Sequence, residues 1–388
     1  MYAILIGASE ESVYAIKKAQ SKGIKVLAFD GNKEAEGLKH ADESYVVDIR
    51  DPQNIIEILD EKGISSKDMF VLPVPIGRYL ITAGFVNDHY GLKGPSRKTT
   101  ELCTDKWVFH ETLSKNSLRN IYCQLVDANS VPDKPAEFPV IVKPRYGAGS
   151  RAVVCVENDN QWQDVVADFP CDEDFIVEDA VEGTEYGVDG MVIDGKFHTI
   201  LVRKKLNTKP PYRQCVGYIS ITEANDAELI RKVQLFMEKL VDAVEIKTGL
   251  VHADLIISDN NPFVIEMSAR PSGHNLHNLF TPLVTGIDMV SDYIDYVTGN
   301  EVNIPAPSVS ETYLIRYFDI ESEIKKIPDK DYIVKKYELL DYKCHMTVGE
   351  IKTIKDGHSL MERGYFILKG DTEESVCERA DELLREYT

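Results

Sequence analysis

The stretch "GLVHADLIISDNNPFVIEMSARPSG", residues 249–273, holds two apolar runs around the polar turn "SDNN". It reads as a β-hairpin. A turn centred on Asn260 sets Asp254 opposite Glu266, His252 opposite Ser268 and Ile256 opposite Val264. Alternate residues share a face, so Asp254, Glu266 and, farther along, Arg270 fall together. Val251, Ala253, Leu255 and Ile257 form the other, apolar face with Phe263, Ile265 and Met267. A turn one residue shorter would separate the two acids. Opposed carboxylates, with Cβ atoms about 4.5–5.5 Å apart, repel each other. A cation between them removes the repulsion, and Mg²⁺ bridging to substrate phosphates suits a site with so few protein oxygens. Two solvated acids on an exposed sheet face are the plainer alternative.

Upstream, "VIVKPRYGAGSRAV" (140–153) carries Lys143 at the end of a strand, then Gly147 and Gly149 around Ala148, then Ser150. A P-loop has its glycines before its lysine; here the order is reversed. Glycines still let backbone N–H groups nest an anion, and an ordinary hairpin turn is the competing assignment. "VEDAVEGTEY" (177–186) is an apolar strand leaving into an acidic turn.

The chain opens on "YAILIG", a helical "EESVYAIKKAQSKG", "KVLAFD", "SYVVDI", a helical "PQNIIEILDEKG" and "MFVLPV". Strands alternating with helices predict a doubly wound parallel sheet over residues 1–95. The turn "GASEES", with Asp30 ending the second strand, raises a dinucleotide site, but Ser9 and Ser12 stand where two of the fingerprint glycines belong. Beyond residue 95 the rhythm changes. "TDKWVFHETL" predicts a helix capped near Thr104 or Asp105, and "GTEYGVDGMVIDGKFHTILVRKK" (183–205), with its Asp-Gly turn chemistry, predicts antiparallel hairpins. This α+β region, 96–302, contains a small lid at about 138–183. "NIPAPS" (303–308) reads as a linker to a small α/β cap over 303–388.

Of 388 residues, 44 are basic and 64 acidic, a net charge of −20. So negative a chain is a poor partner for a nucleic-acid backbone or an anionic membrane. Hydrophobic content of 43% and charged content of 28% are those of a globular protein with ample core. The start has no basic segment followed by a long apolar one, so no signal peptide is expected. Seven scattered cysteines without a C-x-x-C pair fit reduced thiols in a cytoplasmic setting.

Taken as an ordered set over nearly the whole chain, these segments resemble the ATP-grasp superfamily. The kinship is to the biotin carboxylase and purine-pathway carboxylate ligases and to L-amino-acid ligases. The resemblance implies ATP and Mg²⁺, with Mn²⁺ as an alternative ion. It implies that Lys106 in "TDKW" and Lys143 in "IVKP" contact the nucleotide phosphates and that the loop Gly147, Gly149, Ser150 folds over them. Main-chain groups near Asp179 and Val181 would read adenine, assisted by Glu178, while Glu185 would accept from the ribose hydroxyls. "EMSAR" (266–270) resembles the family's E-x-N-x-R: Glu266 and Asp254 would hold metal and Arg270 would steady the transferring phosphoryl group. Ser268 replaces the usual asparagine and is a shorter, weaker ligand. The basic segment "RKKLNTKPPYRQCVGY" makes Arg203, Lys205 and Arg213 candidate anion contacts, and His274 a candidate substrate contact.

The implied reaction is attack of a carboxylate on the γ-phosphate of ATP, then displacement of phosphate by an amine. Both substrates would be small molecules, and the resemblance leaves a homodimer open. Three rivals stand beside it: an ATP-grasp carboxylase or formyl-transfer enzyme, a non-catalytic nucleotide-binding protein, and the dinucleotide enzyme.

Overall fold

The computed structural model describes residues 1–388 apart from 129, 148, 150, 151, 168–172, 209–213, 306, 308, 355 and 356. The first sheet has four parallel strands in the order Glu43–Val46, Lys25–Asp30, Tyr2–Ile6, Met69–Val71. Its crossovers are the helices Ser12–Ser21 and Pro52–Glu61, the second started by Pro52 behind an Asp51 side chain that accepts from Gln53 N at 3.0 Å. This is the doubly wound unit that the alternation predicts. Asp30 turns back onto it: its Oδ2 accepts from Ala8 N at 2.7 Å and its Oδ1 from Asn32 N at 2.8 Å. The carboxylate that a ribose would need is engaged by two backbone amides.

A second sheet of eight strands begins at the carboxylate hairpin. Its order is Asn261–Ser268, Gly249–Ser258, Thr184–Ile193, Lys196–Asn207, Cys215–Ile221, Thr312–Tyr317, Gly364–Gly370, Asp341–Cys344. Asp194 and Gly195 both have positive φ, 49° and 81°, and make the predicted tight turn between Thr184–Ile193 and Lys196–Asn207. The last three strands come from beyond 303. Gly217 pairs with Arg316 and Ile219 with Leu314, so the sheet runs through the expected linker and the cap extends it.

The third sheet, Cys123–Val126, Phe175–Asp179, Val140–Pro144, Val154–Val156, contains the segment expected to form the lid. It recruits Cys123–Val126 from upstream of the expected start near 138. Its small core gathers Val140, Val142, Val156, Trp162, Phe175 and Val177. The 21-residue helix Glu223–Ala243 lies against the large sheet and buries Leu229, Val233, Met237, Leu240 and Val241, a helical stripe. These side chains share one core with Val251, Ala253 and Leu255 of the hairpin and with Ile4 and Leu27 of the first sheet. No helix among the described residues is long and apolar enough to cross a membrane.

Candidate active site

The hairpin turns on two residues, Asp259 (φ 45°) and Asn260 (φ 67°), one residue tighter than a turn centred on Asn260. Two left-handed residues in succession are the geometry of a type I′ turn, which Asp and Asn tolerate. Near the turn Ile256 therefore faces Phe263, not Val264, and Leu255 faces Val264. The register then shifts between Asp254 and Leu255, and beyond the shift Asp254 faces Glu266, Ala253 faces Met267 and His252 faces Ser268. One extra residue in the second strand, Ile265, restores the opposition of the acids that the tight turn alone would have broken. The bulge also changes faces. Val264 is in the core, whereas Phe263 and Ile265, expected there, line the cleft with Ile256.

The cleft lies between this hairpin and the lid. Of the residues assigned to the nucleotide, Lys106, Lys143, Gly147, Glu178, Asp179, Val181 and Glu185 all line it, together with Lys205, Asp254 and Glu266. Ile141, Val153, Ile256, Phe263 and Ile265 supply an apolar slot. Asp105 caps the helix Lys106–Lys115, accepting from Trp107 N at 3.0 Å and Val108 N at 3.2 Å, and so aims Lys106 at the lid. Lys106 Nζ donates to Gly147 O at 3.0 Å. The Asp179 N–H donates to Tyr122 O and that of Ala180 to Pro139 O, so these two amide donors serve the lid and not a base edge.

Lys143 is 4% exposed, not a solvated strand end, and its Nζ lies 2.5 Å from Glu178 Oε1. The other oxygen of Glu178 accepts from Arg119 Nη2 at 2.8 Å, and Arg119 lies over the Phe263 ring at 5.3 Å. Burial opposes the charge on Glu178, but Lys143 and Arg119 outweigh it and hold the carboxyl below its usual range. Arg119 was invisible in the sequence, a lone arginine in "SLRNIY" with no spacing to mark it.

On the hairpin side Lys205 Nζ donates to Asp254 Oδ2 at 2.8 Å and stands 4.0 Å from Glu185 Oε2. Burial opposes its charge, and Asp254 more than compensates, raising the ammonium above the ordinary lysine range. Asp254 Oδ1 is a buried oxygen with no hydrogen-bond partner among the described residues. Arg203 points elsewhere than expected. It is fully buried on the same strand face as Lys205 and engages Asp189, with Nη2 2.9 Å from Oδ1. Asp189 also accepts from Ser272 Oγ and Thr281 Oγ1, both at 3.0 Å, and lies 3.2 Å from His252 Nδ1. This buried hub ties the strand of Arg203 to the loop after Arg270.

Arg270 Nη1 donates to Pro271 O at 2.7 Å, and Ser268 lines a small pocket with Arg270, Glu266, Lys106 and Gly147. His274 takes φ 60° and lines a second cavity beside Glu266 and Arg270, which Gly149 also borders. Burial and the nearby Arg270 charge lower its pKa to about 4, so its imidazole is neutral at pH 7. Ser150 and Arg213 lie outside the described residues.

Residues 136–278 match the ATP-grasp domain family. The chain is 24% identical over 279 residues to the carbamoyl phosphate synthase large chain of Thermotoga neapolitana, covering 67% of this chain and 24% of that one. It thus spans about a quarter of the length of that relative. The structure of an L-amino acid ligase from Bacillus licheniformis superposes with a TM-score of 0.80 at 18% identity, over 100% of this chain and 97% of that one. The biotin carboxylase domain of Hydrogenobacter thermophilus 2-oxoglutarate carboxylase, solved with Mg-ADP and bicarbonate, gives 0.67 at 18% identity, over 100% and 90%. Residues 136–278 thus match the ATP-grasp domain family, and the chain as a whole shares the fold of that L-amino acid ligase structure.

Proposed function

We propose that the chain is an ATP-dependent ligase that joins a small-molecule carboxylate to an amine. A carboxylate oxygen attacks the γ-phosphorus of ATP and the bond to the β-phosphate oxygen breaks, leaving ADP and an acyl phosphate. The amine then attacks the acyl carbon, phosphate departs, and the amine's proton is lost to solvent. The observation that carries this reading is the opposition of Asp254 and Glu266 in a cleft shared with Lys106 and Lys143. No side-chain nucleophile is needed, because positioning and charge neutralisation do most of the work in phosphoryl transfer.

The orphaned Asp254 Oδ1 beside Glu266 fits a hard divalent cation. Asp254 and Glu266 would hold Mg²⁺, with Ser268 a weaker third donor, and Mn²⁺ suits the same oxygens. Bound there, the ion would neutralise phosphate charge. Lys106 and Lys143 would meet the phosphates, Arg270 the transferring group, and the apolar slot around Ile256 and Phe263 the base. Glu178, clamped by Arg119, would keep Lys143 aimed at the nucleotide instead of touching the base itself. The Mg-ADP in the biotin carboxylase relative supports this choice of nucleotide and ion. The lid must close over the acyl phosphate, which water would otherwise hydrolyse.

A phosphate-release screen of the purified chain with Mg-ATP against paired acids and amines identifies the substrates. In the active pair, Glu266→Gln should lower kcat at least about a hundredfold, with ATP binding largely kept. Full turnover in that variant removes the metal assignment.

A further inference from the structure

A cavity of about 350 Å³ lies between the large sheet and the helix Glu223–Ala243. Among the described residues it shares none with the nucleotide cleft or with the cavity at His274. Both of its walls depart from regular packing. In the strand Lys196–Asn207, Thr199 pairs with Gly190 and Leu201 with Asp189, so Ile200 is the extra residue of a β-bulge. The helix opposite is interrupted at Asp226, with φ −152° and ψ 82°. Gln234 spans the gap between them. Its Oε1 accepts from Thr199 N at 3.0 Å and Thr199 Oγ1 at 2.6 Å, and its Nε2 donates to Phe197 O and Glu238 Oε1, both at 2.8 Å. The amide is fully used by the protein, which holds the cavity in shape and leaves recognition to other groups.

Those groups are an apolar lining and two cations. Phe197, Leu201, Ile221, Ile230 and Ile304 supply the lining. Lys196 and Arg231 border it as exposed side chains, and neither stands in an ion pair among the described residues. Arg231 acts on Glu228 by charge, but that carboxylate is taken by Lys232 at 2.5 Å. Burial, then the Lys196 charge, lowers the pKa of His198, so this imidazole is neutral at pH 7. Glu223 is the one acid of the described wall, and two cations against one acid leave it positive in a chain of net charge −20. A concave, mostly apolar site of this volume with a few charged groups is the form that small-molecule sites take.

We propose that this cavity binds a small anion with an apolar body, a carboxylate on a short hydrocarbon or aromatic frame. The body fills the space against Phe197 and Ile230, and the carboxylate meets the planar fork of Arg231 and the Lys196 ammonium. The site is separate from the candidate active site: Thr199 stands about 20 Å along the strand from Lys205. It is independent of the ligase reading.

The probes are octanoate, octanol and octylamine, which share one body and differ in charge. In isothermal titration of the full chain, octanoate should bind about tenfold or more tightly than either of the others, and excess Mg-ATP should leave its affinity unchanged. The double variant Lys196→Gln, Arg231→Gln alters two exposed side chains, so it should keep the parent melting temperature and bind octanoate at least about tenfold more weakly. Arg231→Lys, which keeps the charge without the fork, should fall between. The assignment is overturned if octanoate does not bind, if octanol or octylamine binds as well, or if Mg-ATP displaces octanoate. Parent-like octanoate binding by the double variant would equally overturn it and place the ligand in another cavity.

Discussion

Asp292 shows how the acidic excess of this chain is managed residue by residue. Its neighbours Asp288 and Asp295 are paired with Lys18 at 2.8 Å and Lys22 at 2.7 Å. Asp292 has neither cation, and burial, then the charges of Asp288 and Asp295, push its pKa up to about 6. The folded chain therefore holds this proton more tightly than the unfolded one, and stability falls as pH rises from about 4 to about 6. The full cost is present above pH 6. Two pKa units correspond to at most about 3 kcal/mol, which solvent screening of a half-exposed group reduces to about 1 kcal/mol. Asp292→Asn should raise the melting temperature by about 1–2 °C at pH 8 and leave it unchanged at pH 4; an equal shift at both would contradict the assignment. Legibility at this scale is uneven. The order of Lys143, the glycines, Glu178, Asp254 and Glu266 pointed to one cleft; all but Gly149 line it, and Gly149 borders the adjoining cavity. Arg119 and Asp189 escaped notice because a buried ion pair joins residues far apart in sequence and marks neither locally.

At the scale of elements, the hairpin and the lid illustrate two different limits. The turn chemistry of "SDNN" was readable, but not whether two or three residues would turn it. The bulge at Ile265 leaves no compositional trace, since an isoleucine suits either face of a sheet. The lid is tied shut by contacts that pattern alone does not reveal. Arg145 Nε and Nη2 donate to Asp105, with Nη2 2.6 Å from Oδ2, and its Nη1 donates to Asp174 at 3.0 Å. Tyr146 Oη adds a 2.8 Å bond to Asp105 under the Arg78 guanidinium, 4.5 Å from its ring. Asp105→Asn keeps a good helix cap while removing the charge that holds Arg145. Losing about 1.5 kcal/mol of charge-assisted bonding should open the lid roughly tenfold more often. Limited proteolysis within 136–183 should accelerate accordingly without ATP and return toward the parent rate with Mg-ATP, while circular dichroism stays constant. Unaltered cleavage would show that Asp105 is a cap and nothing more.

The whole molecule departs furthest from what pattern conveys, because strand order depends on pairings as distant in sequence as Gly217 with Arg316. A linker at 303–308 implies a cap that could be removed. Instead Thr312–Tyr317 pairs along Cys215–Ile221, and Gly364–Gly370 and Asp341–Cys344 continue the same sheet. Ile219, Leu314, Phe366 and Leu368 share one buried cluster across the expected boundary. The candidate site also leans on the C-terminal unit: Tyr317 Oη donates to His274 O at 2.7 Å, and Gly357 lies so close to the His274 ring that a Cβ there would meet Cε1 at 2.7 Å. A chain ending at residue 303 would leave the Cys215–Ile221 strand as an open edge beside uncovered apolar surface, a template for association. It would also lose the support that Tyr317 gives the loop at His274. Such a fragment should elute as aggregates in gel filtration and melt without a cooperative transition, whereas the full chain gives a discrete species. A monomeric fragment that unfolds cooperatively and still binds ATP would instead mean that the eight strands are two structural units sharing an edge, and that the cap contributes only to the substrate cavity.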